Sequence, residues 1–241
     1  MSLLLPQWKA PASVCACSTT RQGGVSQRPW EAFNLGAHVG DKPEHVALNR
    51  QRLNRLAELP SPPVWLEQVH GTEVVILPSA QSAPRADAAY THQRGVVCAV
   101  MTADCLPVLL CSTHGDEVAA VHAGWRGLLA GVIEQTLKTF NAPPHQIMAW
   151  LGPAIGPQAF EVGGEVRDAF INHNQAAAAA FVPAGDKFYA DLWQLARQRL
   201  QATGIESVSG GGVCTYQQIG QFFSYRRDGI TGRMASLIWL I

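Results

Sequence analysis

Gly95 to Met101, Pro107 to Cys111 and Val118 to Val121 are three consecutive apolar runs, separated only by short polar breaks. Runs this short, uniformly apolar and β-branched read as buried strands. The break Thr113-His114-Gly115-Asp116 is a turn that joins the last two as an antiparallel hairpin. A chain with this block at its centre must bury sheet on both faces. Around the block, strands and helices alternate irregularly, without the strict βαβ repeat of a Rossmann fold. The expectation is an α+β protein, residues 1–241 forming a single domain, with mixed β-sheets packed inside and helices outside.

The flanking elements follow from periodicity and punctuation. Residues 43–58 read as a helix: Asp41 and Glu44 have capping-box spacing, Leu53, Leu56 and Ala57 give an apolar face, and Pro60, Pro62 and Pro63 end it. Val74 to Leu77 and Ile147 to Leu151 read as strands, and Ala235 to Ile241 as a final strand. Gly127 to Phe140 carries helical periodicity through Leu128, Val132, Ile133, Leu137 and Phe140. Residues 161–173 and 191–203 are predicted helices, and Ala176 to Ala180 a helix end. Cys15 and Cys17, one residue apart on a strand, share a face and are assigned to packing.

The 241 residues are 47% apolar and 15% charged, enough for a sizeable core and unlike a disordered segment. Eighteen basic residues balance eighteen acidic ones, so no basic field draws in nucleic acid or an anionic membrane. The first residues lack a basic segment followed by a long apolar run, and no apolar stretch approaches the ~20 residues of a membrane span. A cytoplasmic protein acting on small molecules is expected, with its six cysteines as reduced thiols.

Three residues stand in segments ill-suited to plain packing: His70 in Glu67-Gln68-Val69-His70-Gly71, Cys105 in Thr102-Ala103-Asp104-Cys105-Leu106-Pro107, and His122 in Val121-His122-Ala123-Gly124-Trp125-Arg126-Gly127. Two imidazoles and a thiolate form a three-ligand zinc set that keeps a fourth position open, as catalytic sites do. The alternative is a buried strand cysteine flanked by hydrogen-bonded histidines, because no two of the three are close in sequence. Pro107 is expected to interrupt ladder pairing and turn Cys105 towards a pocket, and Gly71 to let backbone approach the metal. Asp104 is placed to orient a histidine, to act as a base, or to cap a loop N–H. Gly124 to Gly127 is expected to begin a helix beside His122 and, with Arg126, to present donors to an anion. Arg21, Arg226, Arg227 and Arg233 are candidates for phosphate contacts, or else for tying loops together. His45, His92, His114, His145 and His173 read as surface residues.

The segments QVHG, TADCLPVLL and AAVHAGWRG, in this order, resemble the signature of the YfiH/YlmD family, also called the laccase-domain or polyphenol oxidase family. The resemblance runs from Arg21-Gln22-Gly23-Gly24-Val25-Ser26 and Phe33-Asn34-Leu35-Gly36-Ala37-His38-Val39-Gly40-Asp41 to Ser224-Tyr225-Arg226-Arg227-Asp228. It implies that His70, Cys105 and His122 are the metal ligands and that Asn34 and His38 belong to a pocket wall. It also implies zinc-dependent purine nucleoside phosphorolysis: adenosine, inosine or methylthioadenosine reacts with phosphate to give base and ribose 1-phosphate, with adenosine deamination besides. A metal that lowers the pKa of water to about 7 suits attack at C6 of adenine.

Three other functions use the same residues. A copper-dependent polyphenol oxidase matches one family name. None of the eight histidines lies two positions from another, however, so paired H-x-H ligands of a multicopper centre are missing, leaving a lone copper (Cu2+) in the three-ligand site. A Cys-His hydrolase would use Cys105 as nucleophile and His122 or His70 as base. A peptidoglycan-precursor editing factor is the remaining role implied by the resemblance.

Overall fold

A computed structural model describes residues 3–241. In chain order the strands and helices begin with β1 (Leu3–Leu4), β2 (Val14–Thr19), α1 (Pro43–Leu56), β3 (Val74–Ile76), β4 (Ala88–Thr91), β5 (Val97–Thr102), β6 (Leu106–Ser112) and β7 (Val118–Ala123). They continue with α2 (Trp125–Ala130), α3 (Val132–Leu137), β8 (Ile147–Leu151), β9 (Glu161–Val162), α4 (Gly164–His173), β10 (Phe181–Ala184) and β11 (Lys187–Ala190). The last are α5 (Leu192–Ala202), β12 (Ser207–Gly210), α6 (Tyr225–Asp228) and β13 (Met234–Leu240). The fold is α+β, with a six-stranded sheet ordered β12-β8-β6-β7-β4-β3, a four-stranded sheet ordered β1-β2-β13-β5, and a small sheet ordered β10-β11-β9. The six-stranded sheet is mixed: β12 with β8 and β3 with β4 are parallel, and the interior pairs are antiparallel.

The central apolar runs are continuous because both faces of their strands are covered. Alternate residues of β6 and β7 enter different cores. Leu106, Val108 and Leu110 with Ala119, Val121 and Ala123 pack towards Leu128, Ile133, Leu195 and Leu200 of the helices. Leu109 and Cys111 with Val118 and Ala120 pack against Cys98, Val100, Ile238 and Leu240 of the four-stranded sheet. The outer face of that sheet carries Val97, Ala99, Leu237 and Trp239 onto Leu35 and Leu53. No described helix is long and apolar enough to cross a membrane, and all six cysteines are free thiols.

Four local expectations need correction. Pro107 does not interrupt pairing: it lies within β6 opposite His122. Its carbonyl accepts from Gly152 N at 2.9 Å on the β8 side, so its missing N–H falls at the end of that ladder, where none is needed. The predicted helix over 127–140 is two short helices broken at Gly131, whose φ of 99° is left-handed. Asp41 does not cap α1; Lys42 is the N-cap and has no side-chain bond, while Asp41 is turned inward to Ser26 and Asn34. His45 is half-buried against Asp41 at 3.6 Å rather than on the open surface.

Candidate metal centre

The antiparallel register gathers the candidate ligands. Leu106 pairs with Ala123 and Pro107 with His122, so Cys105, just before β6, meets the end of β7. Ala88 pairs with Val121, which sets Asp87, just before β4, beside His122. Met234 pairs with Thr102, bringing the residues before β13 to the same end. Strand ends from two sheets thus converge on one point.

His70 arrives on the loop before β3 with a left-handed φ of 62°. Two devices hold that loop. Gln68 pairs with Met101 as a strand would, donating Nε2 to its carbonyl at 2.8 Å and accepting its N–H at 2.7 Å. Asp87, fully buried, accepts the N–H groups of Val69, His70 and Gly71 at 3.1, 2.9 and 2.7 Å. The same carboxylate lies 2.8 Å from His122 Nδ1. That contact makes Nδ1 the donor and leaves the Nε2 lone pair for a metal, the carboxylate–histidine arrangement common around zinc.

The ligand atoms of His70, Cys105 and His122 all lie within 4.8 Å of one another. Cys105 Sγ is 3.7 Å from His70 Nε2. A tetrahedral zinc with its usual N and S bond lengths separates such a pair by about 3.6 Å, so the donor set fits the ion. Close approach is secured by Gly124: a Cβ there would lie 3.0 Å from both Cys105 Sγ and His70 Cδ2. Gly71 was expected to play this part, but a Cβ on it meets nothing nearer than 3.5 Å.

The charges suit a ligand thiolate. Burial opposes ionisation of Cys105, but the adjacent His122 and then His70 outweigh it and bring the thiol down to about 6. Burial likewise disfavours the His122 cation, while the Cys105 thiolate and then Asp87 lift it to about 9. Burial works against Asp87 as well, yet its bonds to His122 and to the Gly71 N–H hold it below the ordinary carboxylate value. The Cys105 and His122 shifts both favour a thiolate beside an imidazolium, and a metal held by these residues would take the place of the imidazolium proton.

The centre opens into a cavity of about 490 Å³, lined among others by His38, Trp125, Arg126, Phe160, Tyr225, Arg226 and Arg233. This is within the range of small-molecule sites, roughly 300–1,000 Å³.

Residues 15–241 match the model of the family described as multi-copper polyphenol oxidoreductase laccase. The chain belongs to this family. It is 60% identical over 240 residues to the purine nucleoside phosphorylase YfiH of Escherichia coli (strain K12), covering 99% of each chain. It is 54% identical to a purine nucleoside phosphorylase of Pseudomonas aeruginosa, with 98% of each covered. The solved structure of a Neisseria meningitidis protein superposes with a TM-score of 0.94 at 49% identity, covering 100% of this chain and 99% of that one. The YfiH/YlmD resemblance read from the motifs and the α+β architecture both hold.

Of the residues singled out from sequence, His70, Cys105, His122, Asp104, His38, Arg126, Arg226 and Arg233 line one cavity. Asp104 accepts from Thr215 Oγ1 at 2.6 Å, Ser224 Oγ at 3.0 Å and the Arg226 N–H at 2.7 Å. It anchors the loops around the cavity, and neither ligand histidine is among its hydrogen-bond partners. Asn34 is not at the cavity: it is fully buried and spends its amide on Gly36, Asp41 and Arg233. Arg21 and Arg227 are also off it. Arg21 donates to the carbonyls of Glu31 and Ile219, and Arg227 to those of Thr215, Tyr216 and Phe222 and to Asp228. Both tie loops. The helix after Gly124 forms as expected but is only six residues long. Asp87 was missed, although a lone carboxylate opening the apolar Ala86-Asp87-Ala88-Ala89 segment was its signal.

Proposed function

We propose that the chain is a zinc-dependent purine nucleoside phosphorylase that also deaminates adenosine. One observation carries this reading: a three-ligand His-Cys-His set, with one histidine fixed by a buried carboxylate, faces a nucleoside-sized cavity lined by cations. Adenosine, inosine and methylthioadenosine are the proposed substrates, with inorganic phosphate as co-substrate. The names of the E. coli and P. aeruginosa relatives support the same activity.

His70, Cys105 and His122 would hold the ion, which supplies Lewis acidity and lowers the pKa of water to about 7. Asp87 keeps His122 in the ligand tautomer. Phe160 and Tyr225 give the base an aromatic surface. Arg126, stacked 4.4 Å from the Trp125 ring, and Arg226, tethered to the Glu161 carbonyl at 2.9 Å, put positive charge where phosphate enters. In phosphorolysis an oxygen of hydrogen phosphate bonds to C1′, the C1′–N9 bond breaks, and the proton the phosphate gives up passes, directly or through solvent, to the departing purine. Asp104, by holding the Arg226 N–H, sets one wall of this space.

A multicopper oxidase is disfavoured by the donor count: the described residues contain one three-ligand His/Cys/Asp/Glu group. The test is metal analysis of protein purified without added metal, then product analysis with adenosine plus phosphate. Stoichiometric zinc with adenine and ribose 1-phosphate supports the reading. Copper with phenol oxidation, or release of free purine base independent of phosphate, overturns it. Cys105→Ser protein that kept full zinc and activity would overturn the ligand assignment.

A further inference from the structure

Arg233 is half-buried at the convergent end of the two sheets, immediately before β13. Both backbone groups are fixed: its N–H donates to Asn34 Oδ1 at 2.9 Å and its carbonyl accepts from Leu35 N at 3.1 Å. Its stem crosses Gly36, where a Cβ would come within 2.8 Å of Arg233 Cγ. The guanidinium is tethered on one side only, by Nη1 to the carbonyls of Thr231 and Gly232 at 3.1 and 3.0 Å. Nε and Nη2 carry no hydrogen bond to the described residues, and no described carboxylate lies within the 4.0 Å of an ion pair. Asp104, the nearby acid on the cavity wall, commits its oxygens to Thr215, Ser224 and Arg226.

The other arginines are spent differently. Arg21 and Arg227 face Asp228 and backbone carbonyls. Arg126 and Arg226 are exposed. Arg233 alone among the cavity arginines is pulled partly out of water with its bidentate edge unused. Burial opposes this cation, and the Cys105 thiolate and Asp104 offset it only through space, without a hydrogen bond to its free edge. An anionic ligand meeting that edge directly is therefore favoured. The Nε–Nη2 edge matches two oxygens of a planar or tetrahedral oxyanion.

We propose that Arg233 is the principal oxyanion ligand of the cavity and holds the inorganic phosphate through its Nε–Nη2 edge, with His38 on the same cavity lining. Asn34 and Gly36 then act as positioning residues: one clamps the Arg233 backbone, the other makes room for its stem. This assignment rests on the phosphorolysis reading, and it shifts the phosphate contact from Arg126 and Arg226 to a residue ordered before the ligand arrives.

The experiment measures phosphate twice: as the KM for inorganic phosphate with saturating inosine, and as equilibrium binding of inorganic phosphate by calorimetry without nucleoside. Arg233→Ala, Arg233→Lys and Gly36→Ala are compared with the parent, with zinc content and thermal unfolding recorded for each. Losing charge-assisted bonds of this kind should raise the phosphate KM about tenfold or more in Arg233→Ala. Arg233→Lys should recover part of the loss, since a point charge replaces the fork. Gly36→Ala, which keeps the guanidinium but displaces its stem, should also raise the phosphate KM while leaving zinc in place. Unchanged phosphate KM and binding in Gly36→Ala and in either folded Arg233 variant overturn the assignment while leaving phosphorolysis standing. If the parent cleaves inosine without phosphate dependence, the proposed function fails. The calorimetric comparison then decides the anion site alone, and absent binding in the parent overturns it.

Discussion

Asp87→Asn is the most discriminating perturbation of the centre. Asp87 Oδ1 accepts from His70 N and sits 2.8 Å from His122 Nδ1, while Oδ2 accepts from Val69 N and Gly71 N. Asparagine offers one oxygen and one NH2, so each orientation sacrifices one pair of contacts. If the NH2 replaces Oδ1, it faces His122, which must turn its Nδ1 into an acceptor and place the proton on Nε2, where a metal would bind. If it replaces Oδ2, the donors of Val69 and Gly71 lose their acceptor and the His70 loop is released. Either way one histidine ligand is lost or misdirected. At about 1.5–3 kcal/mol for each charge-assisted bond, two lost bonds cost about 3–6 kcal/mol. Partners of this kind typically change metal affinity by about 10–100-fold. The assay is chelator competition for zinc, with thermal unfolding of the metal-free protein alongside. Metal-free stability within 1 kcal/mol of the parent (about the value of a single hydrogen bond) and zinc affinity within about twofold would refute the reasoning.

Three further outcomes are expected. In metal-free protein, alkylation of Cys105 by iodoacetamide should rise with a midpoint near pH 6 and level off above it, because its thiolate forms above a pKa brought down to about 6 by His122 and His70. Cys17 and Cys111, pushed up to about 12 by burial, should lag, and zinc should protect Cys105; mass spectrometry of the labelled peptides reads this. His122→Ala should lower phosphorolysis and deamination together, measured by product chromatography, and retention of one at full rate would mean separate sites. Gly124→Ala should weaken zinc by crowding Cys105 Sγ and His70 Cδ2 at 3.0 Å, with little change in metal-free unfolding; unaltered zinc affinity would show that the ligands can give way.

What sequence made legible was what sits in local pattern. The runs that became β5, β6, β7, β8 and β13 were readable because burial on both faces leaves them continuously apolar. The hairpin β10–β11 was missed because its strands carry exposed Val182, Pro183 and Lys187 and lie on a small outer sheet. The break at Gly131 had a signal, a glycine inside a helical pattern, that the apolar periodicity of 127–140 outweighed. The ligand histidines and Cys105 stood out because each shares a short segment with glycine or proline. Asp87 did not, and Arg233 was only one of several arginine candidates, because what sets them apart arises only once strand ends meet.

Register is therefore the property that turns this sequence into a site. His122 has the parity of Val118 and Ala120, which face the four-stranded sheet, while Ala119, Val121 and Ala123 face the helices. Because side chains alternate, a slip of one residue between β6 and β7 would drive His122 towards the apolar helix-side core and carry Cys105 away from it. Two buried cores forbid that slip: it would also exchange the alanines at 119 and 123 with neighbours shaped for the opposite face. The apolar alternation that stabilises the sheets thus fixes where the imidazole points, and Asp87, opposite it across the β4–β7 pair, needs only to choose the tautomer. Folding energy from the cores, rather than metal binding, sets the geometry into which the ion would enter.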